Sequence, residues 1–227
     1  MEEVTGTALA VLDMAGTTVT DDGLVIRAFD EAATAVGLPE DGPERQEARR
    51  YVLDTMGRSK IEVFLSLFGS QDRAEDANAA FEKAYESYMD GGVAPIPGAV
   101  EAISQIRAAG VKVALTTGFG RSTQQRLLES LGWEDIADLA LCPADAGRGR
   151  PFPDMILAAL MRTGIDDVAA VAVLGDTSSD ILSGRRAGAS IVAGTLTGAH
   201  DAQSLRAAGA TDIVGSIADF PQLILPA

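Results

Sequence analysis

Near the start of the chain an unbroken apolar run, Leu9-Ala10-Val11-Leu12, ends at Asp13 and enters a turn of small and hydroxyl-bearing residues, Ala15-Gly16-Thr17-Thr18. An apolar run of this length bounded by glycine predicts a strand over about 7–14, buried on both faces within a parallel sheet. From 22 to 89 the period changes. Leu24, Ile26, Ala28, Phe29, Ala32 and Ala33 recur at three- to four-residue spacing, and 49–56, 61–68 and 74–88 continue the pattern with no strand-like run between them. Pro39, Gly42-Pro43, Gly57 and Gly69-Ser70 divide the stretch into about four helices, and Asp90-Gly91-Gly92 followed by Pro95 and Pro97 closes it.

From Gly98 onward helix and strand alternate across short connections. Helices are expected over 99–109, 122–131, 153–163, 179–187 and 202–208 and at the C-terminus, with strands over 111–117, 137–141, 168–174, 190–193 and 211–214. Such alternation means parallel strands joined by right-handed crossovers. The expected fold class is α/β: a doubly wound, Rossmann-like parallel core of residues 1–20 and 94–227, with an α-helical domain of residues 21–93 inserted after the first strand.

Composition narrows the function classes. The net charge of −15 argues against a general nucleic-acid surface, which needs a basic footprint, but it leaves room for a small anionic substrate held by a few local cations. Neither a basic leader with an apolar core nor an apolar stretch long enough to span a membrane is visible, so the expected location is cytoplasmic. Cys142 is the single cysteine and cannot form an internal disulfide; its place at the end of an apolar run reads as a buried structural thiol.

Polar groups cluster at the expected strand ends: Asp13 to Thr17 after the first, Thr117-Gly118 after the second, and Gly175-Asp176-Thr177-Ser178-Ser179-Asp180 after the strand at 168–174. Parallel strands bring such ends to one edge, where ligands of open α/β sheets bind. One aspartate after a strand is most often a helix cap. Several at successive strand ends are better explained by a divalent cation, because Mg²⁺ prefers one or two carboxylates together with phosphate oxygens, and Asp13, Asp176 and Asp180 offer them. A carboxylate can also attack phosphorus, while Thr117, the Gly118 amide and Arg150 would hold the phosphoryl oxygens.

These motifs resemble the haloacid dehalogenase superfamily of aspartate-nucleophile phosphohydrolases over essentially the whole chain. The resemblance implies Asp13 as nucleophile, Thr117 as the second-strand hydroxyl, Arg150 as the basic residue, Asp176 and Asp180 as metal acids, and the helical insertion as a mobile cap. Most phosphatases of that superfamily carry a second aspartate two residues after the nucleophile as general acid. Here that position is Ala15. Ester cleavage benefits from such an acid, whereas cleavage of a carbon–phosphorus bond needs an electron sink, which a lysine Schiff base on a neighbouring carbonyl supplies.

Within 21–93 the lysines are Lys60 and Lys83. Met56-Gly57-Arg58-Ser59-Lys60 is similar to the Met-Gly-x-x-Lys segment of the phosphonoacetaldehyde hydrolase (phosphonatase) family, and the segments around Asp13, Thr117, Arg150 and Asp176 match it as well. The resemblance implies Lys60 as the Schiff-base lysine, the Ala15 carbonyl as a metal ligand and a homodimer through the cap. Val63 and Phe119 stand where that family has a histidine and an aromatic hydroxyl. Arg58 and Arg121 are candidate phosphonate contacts, His200 a loop residue, and Trp133 a packing residue. Three readings follow: a Mg²⁺-dependent hydrolase of phosphonoacetaldehyde or a related 2-oxo-alkylphosphonate; a phosphomonoesterase of a small phosphate ester; and a binding protein for a phosphate metabolite. Halide chemistry suits the Asp176/Asp180 pair less well.

Overall fold

The computed structural model describes residues 6–89 and 92–226. Its first strand, β1 (Leu9–Asp13), is buried along its whole length, as its apolar run requires. Four helices follow: α1 (Leu24–Ala35), α2 (Pro43–Asp54), α3 (Lys60–Phe68) and α4 (Gln71–Met89). Proline at the first turn starts α2, and Gly69 in the left-handed region ends α3, as those breakers predict. Of the closing segment, Asp90 and Gly91 lie outside the described residues.

The remainder alternates. α5 (Ala99–Ala108) leads to β2 (Lys112–Thr116), α6 (Arg121–Leu131) to β3 (Leu139–Leu141), and the short α7 (Pro143–Ala146) and α8 (Asp154–Thr163) to β4 (Val171–Gly175). Then come α9 (Ser178–Ala187), β5 (Ile191–Thr195), α10 (Ala202–Ala207), β6 (Asp212–Val214) and α11 (Phe220–Ile224). The strands form one sheet in the order β3-β2-β1-β4-β5-β6, and every pairing is parallel. This is the doubly wound class expected from the alternation.

Two local departures have clear causes. The expected strand at 168–174 begins with a 3-10 turn (Val168–Ala170), because the Asp167 carboxylate accepts a hydrogen bond from the Ala169 N–H at 2.8 Å. Helix α7 breaks the loop after β3: Pro143 opens it, and the Asp145 carboxylate folds back to accept from the Cys142 N–H at 2.9 Å.

The two chain passages joining the inserted helices to the sheet run side by side. Thr20 N–H donates to the Ala94 carbonyl and Ile96 N–H to the Thr18 carbonyl, both at 2.9 Å, and Val19 pairs with Pro95 in an antiparallel bridge. Helices α1, α3 and α4 pack together through Phe29, Phe64, Phe81 and Tyr85, and this aromatic series continues into Phe119 beyond β2. Among the described residues no helix is long and apolar enough to cross a membrane.

Candidate active site

Strands β2, β1 and β4 are neighbours, so their carboxyl ends bring Thr117, Asp13 and Asp176 to one edge. The carboxylates of Asp13, Asp176 and Asp180 are all buried and their nearest oxygens lie within 4.8 Å of one another. A single cation balances them. Arg150, itself buried, reaches Asp13 Oδ1 with Nη1 at 2.6 Å and Asp180 Oδ1 with Nε at 2.8 Å, and its Nη2 donates to Thr116 Oγ1. Three carboxylates against one guanidinium leave an excess of buried negative charge.

That imbalance appears in the titration of the site. Burial raises the pKa of Asp13 well above the usual carboxylate range, with Asp180 and Asp176 adding to the effect and Arg150 opposing it. Burial, then Asp180, pushes Asp176 up to about 6 even though Thr17 Oγ1 and the Ala199 N–H donate to its two oxygens at 3.1 and 2.8 Å. Hard oxygen donors, buried together with too little positive charge, fit a divalent cation such as Mg²⁺. Asp180 also caps a helix. Its Oδ2 accepts from the Thr177 N–H at 3.0 Å and from the Thr177 hydroxyl, closing a capping box on α9, while its Oδ1 faces Arg150.

A cavity of about 410 Å³ opens over this cluster. Asp13, Ala15, Thr117, Gly118, Arg150 and Asp176 line it from the sheet side, and Asp21, Val25, Ile26, Leu53, Met56 and Lys60 from the side of the inserted helices. Lys60 is thereby brought to the same space as Asp13. The approach is fixed by the backbone: the Lys60 N–H donates to the Gly118 carbonyl at 3.3 Å, and a Cβ on Gly118 would lie 2.5 Å from the Arg58 carbonyl. Gly57, at φ +82°, presses on α9 so closely that any side chain there would collide with Thr177 Oγ1.

The Lys60 amine lies 5.4 Å from the ring centre of Phe119 and 5.9 Å from that of Phe81. Burial pushes its pKa below the usual lysine value, and the opposing pull comes first from Asp21 and then from Asp13. A lysine in such surroundings carries more of the neutral amine that attacks carbonyl carbon. Thr117 Oγ1 accepts from the Phe119 N–H at 3.2 Å, which orients its side chain at the rim of the cavity.

Two expected contacts are corrected. Arg121, the first residue of α6, is exposed and its guanidinium is drawn to Asp145 at 2.6 Å. Arg58 points the other way from Lys60, into a separate groove with Tyr51, Glu62 and Phe152, and its Nε is buried there without a hydrogen-bond partner among the described residues. Neither reaches the cavity. Cys142 is buried with its thiol donating to Asp145 at 3.2 Å, and Trp133 is buried in the core, as their packing readings expect. His200 does more than an exposed loop residue: its Nδ1 accepts from the Ser178 N–H at 2.8 Å and its Nε2 lies 3.3 Å from the Leu53 carbonyl of α2.

Sequence reasoning missed three groups. Thr17 orders Asp176, Asp21 lines the cavity opposite the sheet, and Tyr85 buries a hydroxyl without a partner among the described residues, with its ring 4.5 Å from Phe119. Only Thr17, inside the first-strand motif, lay close enough to Asp13 in sequence to invite attention.

Comparison with known proteins bears on the family and the fold. The model of the haloacid dehalogenase-like hydrolase family matches residues 10–193. A phosphonoacetaldehyde hydrolase of Pseudomonas aeruginosa (strain UCBPP-PA14) is 32% identical over 203 residues, 83% of this chain and 73% of that protein. The probable phosphatase IndB of Dickeya dadantii (strain 3937) is 28% identical over 217 residues, 93% of this chain and 90% of that one. The crystal structure of a hydrolase from Pseudomonas syringae superposes with a TM-score of 0.83 at 24% identity, covering 96% of this chain and 97% of the other, and so has the same fold. The chain belongs to the haloacid dehalogenase-like hydrolase family.

Proposed function

We propose that this hydrolase cleaves the carbon–phosphorus bond of phosphonoacetaldehyde or a related 2-oxo-alkylphosphonate, with Mg²⁺ as cofactor. The observation that carries the reading is the pairing of Ala15, where an acid for ester cleavage would stand, with the Lys60 amine in the cavity that Asp13 lines. The phosphonoacetaldehyde hydrolase relative supports the same assignment.

In this reading the neutral Lys60 amine condenses with the substrate carbonyl and, with uptake of one proton, expels water to leave a protonated imine. An oxygen of Asp13 then bonds to phosphorus as the C–P bond breaks, and the released electron pair moves into the imine to give a neutral enamine. Proton uptake on carbon and hydrolysis of the imine free the aldehyde and Lys60, while water hydrolyses the aspartyl phosphate. Arg150, Thr117 and the Gly118 N–H hold the phosphoryl oxygens. Asp13, Asp176, Asp180 and the Ala15 carbonyl would hold Mg²⁺, which when bound supplies positive charge to offset the carboxylates and the phosphoryl group. Closure of the inserted helices over the sheet excludes water from the imine.

A second reading has its own support. IndB, named a probable phosphatase, aligns over nearly its full length, and Val63 and Phe119 lack the proton-handling groups of the phosphonatase family. Phosphate release from phosphonoacetaldehyde measured beside phosphoglycolate and sugar phosphates decides between the two. Preference for the phosphonate, lost in Lys60→Ala, is the expected result; equal ester turnover by wild type and Lys60→Ala selects the phosphatase. Binding without phosphate release from any of them selects a binding protein.

A further inference from the structure

Condensation of Lys60 with a carbonyl, the step on which the proposed function rests, needs a group that takes the ammonium proton and returns it to the departing oxygen. Val63 is aliphatic and Phe119 has no hydroxyl, so neither serves. Thr117 is too weak a base and already accepts from the Phe119 N–H, and most other polar groups around the cavity are engaged with one another. Asp13 is held by Arg150; Asp176 by Thr17 and Ala199; the Thr177 hydroxyl donates to Asp180, the Thr197 hydroxyl to the Gly16 carbonyl at 2.7 Å, and the Thr20 hydroxyl to the Ala94 carbonyl at 3.1 Å. Asp22 is exposed at the turn.

Asp21 differs in facing, among the described residues, no cation within ion-pair distance and no carboxylate of the sheet edge. It lines the cavity from the passage into α1, half-buried, on the same side as Lys60. Among the described residues its carboxylate is met only by backbone N–H groups of its own turn: that of Val25, which donates to Oδ1 at 3.2 Å, and that of Gly23. Of the charges around Lys60 it acts most strongly, and burial raises its own pKa, as a group that must exchange protons requires.

We propose that Asp21 is the acid–base partner of Lys60. Its carboxylate removes a proton from the Lys60 ammonium, and the neutral nitrogen attacks the carbonyl carbon. Asp21 gives that proton to the oxygen, takes a second from nitrogen, and gives it to the hydroxyl as the C–O bond breaks. Water leaves, the nitrogen lone pair completes the iminium, and Asp21 ends as the carboxylate facing that cation. Charge and protons balance without a further reactant. Chain residues outside the sheet thus supply both the amine and its base, which places imine chemistry on the inserted side and phosphorus chemistry on the strand ends.

Asp21→Asn tests this cleanly, because the amide oxygen still accepts from Val25 while basicity is lost. We expect its kcat/KM for phosphonoacetaldehyde to fall on the order of 10²–10⁴-fold, the usual contribution of a positioned acid–base group, with thermal midpoint retained. The rate of forming the borohydride-trappable Lys60 adduct falls with it. Asp21→Ser, which leaves a vacancy, regains turnover on addition of formate; this rescue also decides the matter should the Asn variant not fold. Unchanged kcat/KM in Asp21→Asn while Lys60→Ala is dead overturns the role of Asp21 and leaves the phosphonatase reading standing. Turnover of phosphonoacetaldehyde that survives Lys60→Ala overturns that reading, and the role of Asp21 with it.

Discussion

At the residue scale the account turns on Asp13, Ala15 and Lys60. Asp13 has one oxygen on Arg150 and no described residue on the other, which leaves an oxygen for attack. Asp13→Asn is expected to abolish phosphate release while phosphonate binding persists, measured by single-turnover phosphate assay and calorimetry. Lys60 sets the pH response. Only its neutral form condenses, and burial lowers its pKa, so the rate of adduct trapping should rise with pH along a limb centred below the ordinary lysine value of 10.5. The charged groups acting on it are Asp21, Asp13 and Asp176, which favour the ammonium, and Arg150, which opposes it. Removing the Asp21 charge should therefore move the limb to lower pH while lowering its plateau. Asp13 and Asp176 were legible in the chain because each ends or follows a strand in a short recognisable motif, and Arg150 because it stands in a glycine- and arginine-rich loop motif. Arg58 was misplaced because a helix start fixes where the backbone goes, and Lys60 two residues later leaves the turn on the opposite side. Asp21 was illegible for a related reason: it lies in a turn with no periodicity, and its partner is brought to it only by tertiary packing.

At the scale of elements, the decisive joint is the start of α3. Gly57 and Gly118 let the turn before Lys60 approach both α9 and the β2 loop, closer than side chains allow. Gly57→Ala should push α3 outward, and because a displacement of about 1 Å can cost 10²-fold in rate, kcat/KM should fall by about that factor while the fold persists; circular dichroism alongside kinetics checks it. Helix α2 is anchored differently. Arg45 is fully buried and donates to the carbonyls of Pro39, Leu38 and Asp30 and to the Thr34 hydroxyl at 2.7–3.1 Å, besides pairing with Asp30. Arg45→Ala leaves those carbonyls unpaired, while Asp30 keeps Arg49, and should cost about 1–3 kcal/mol of stability, read by denaturant unfolding. The alternating helix and strand pattern was readable because apolar periodicity and glycine breakers agreed. The 3-10 turn at Val168–Ala170 was not, since its valine and alanines fit a strand equally well until the Asp167 side chain settles the backbone.

At the scale of the whole molecule, one sheet edge and four inserted helices meet over a cluster of like charges. Three buried carboxylates, only two of them paired with Arg150, repel one another, so a bound divalent cation should stabilise the fold as well as support turnover. Mg²⁺ at 100 times its dissociation constant should stabilise the native protein by about 2.7 kcal/mol, raising the thermal midpoint in scanning calorimetry, and chelation should reverse this and stop phosphate release. Asp176→Ala should abolish the midpoint shift. The side-by-side passages at Thr18–Thr20 and Ala94–Ile96 join the inserted helices to the sheet, and His200 ties those helices to α9 through the Leu53 carbonyl and the Ser178 N–H.

The most direct test of the central claim is borohydride reduction in the presence of phosphonoacetaldehyde, followed by peptide mass spectrometry. The account predicts a reduced substrate adduct on Lys60 and loss of activity in proportion to it. Full turnover of phosphonoacetaldehyde with Lys60 recovered unmodified under the same conditions would contradict it.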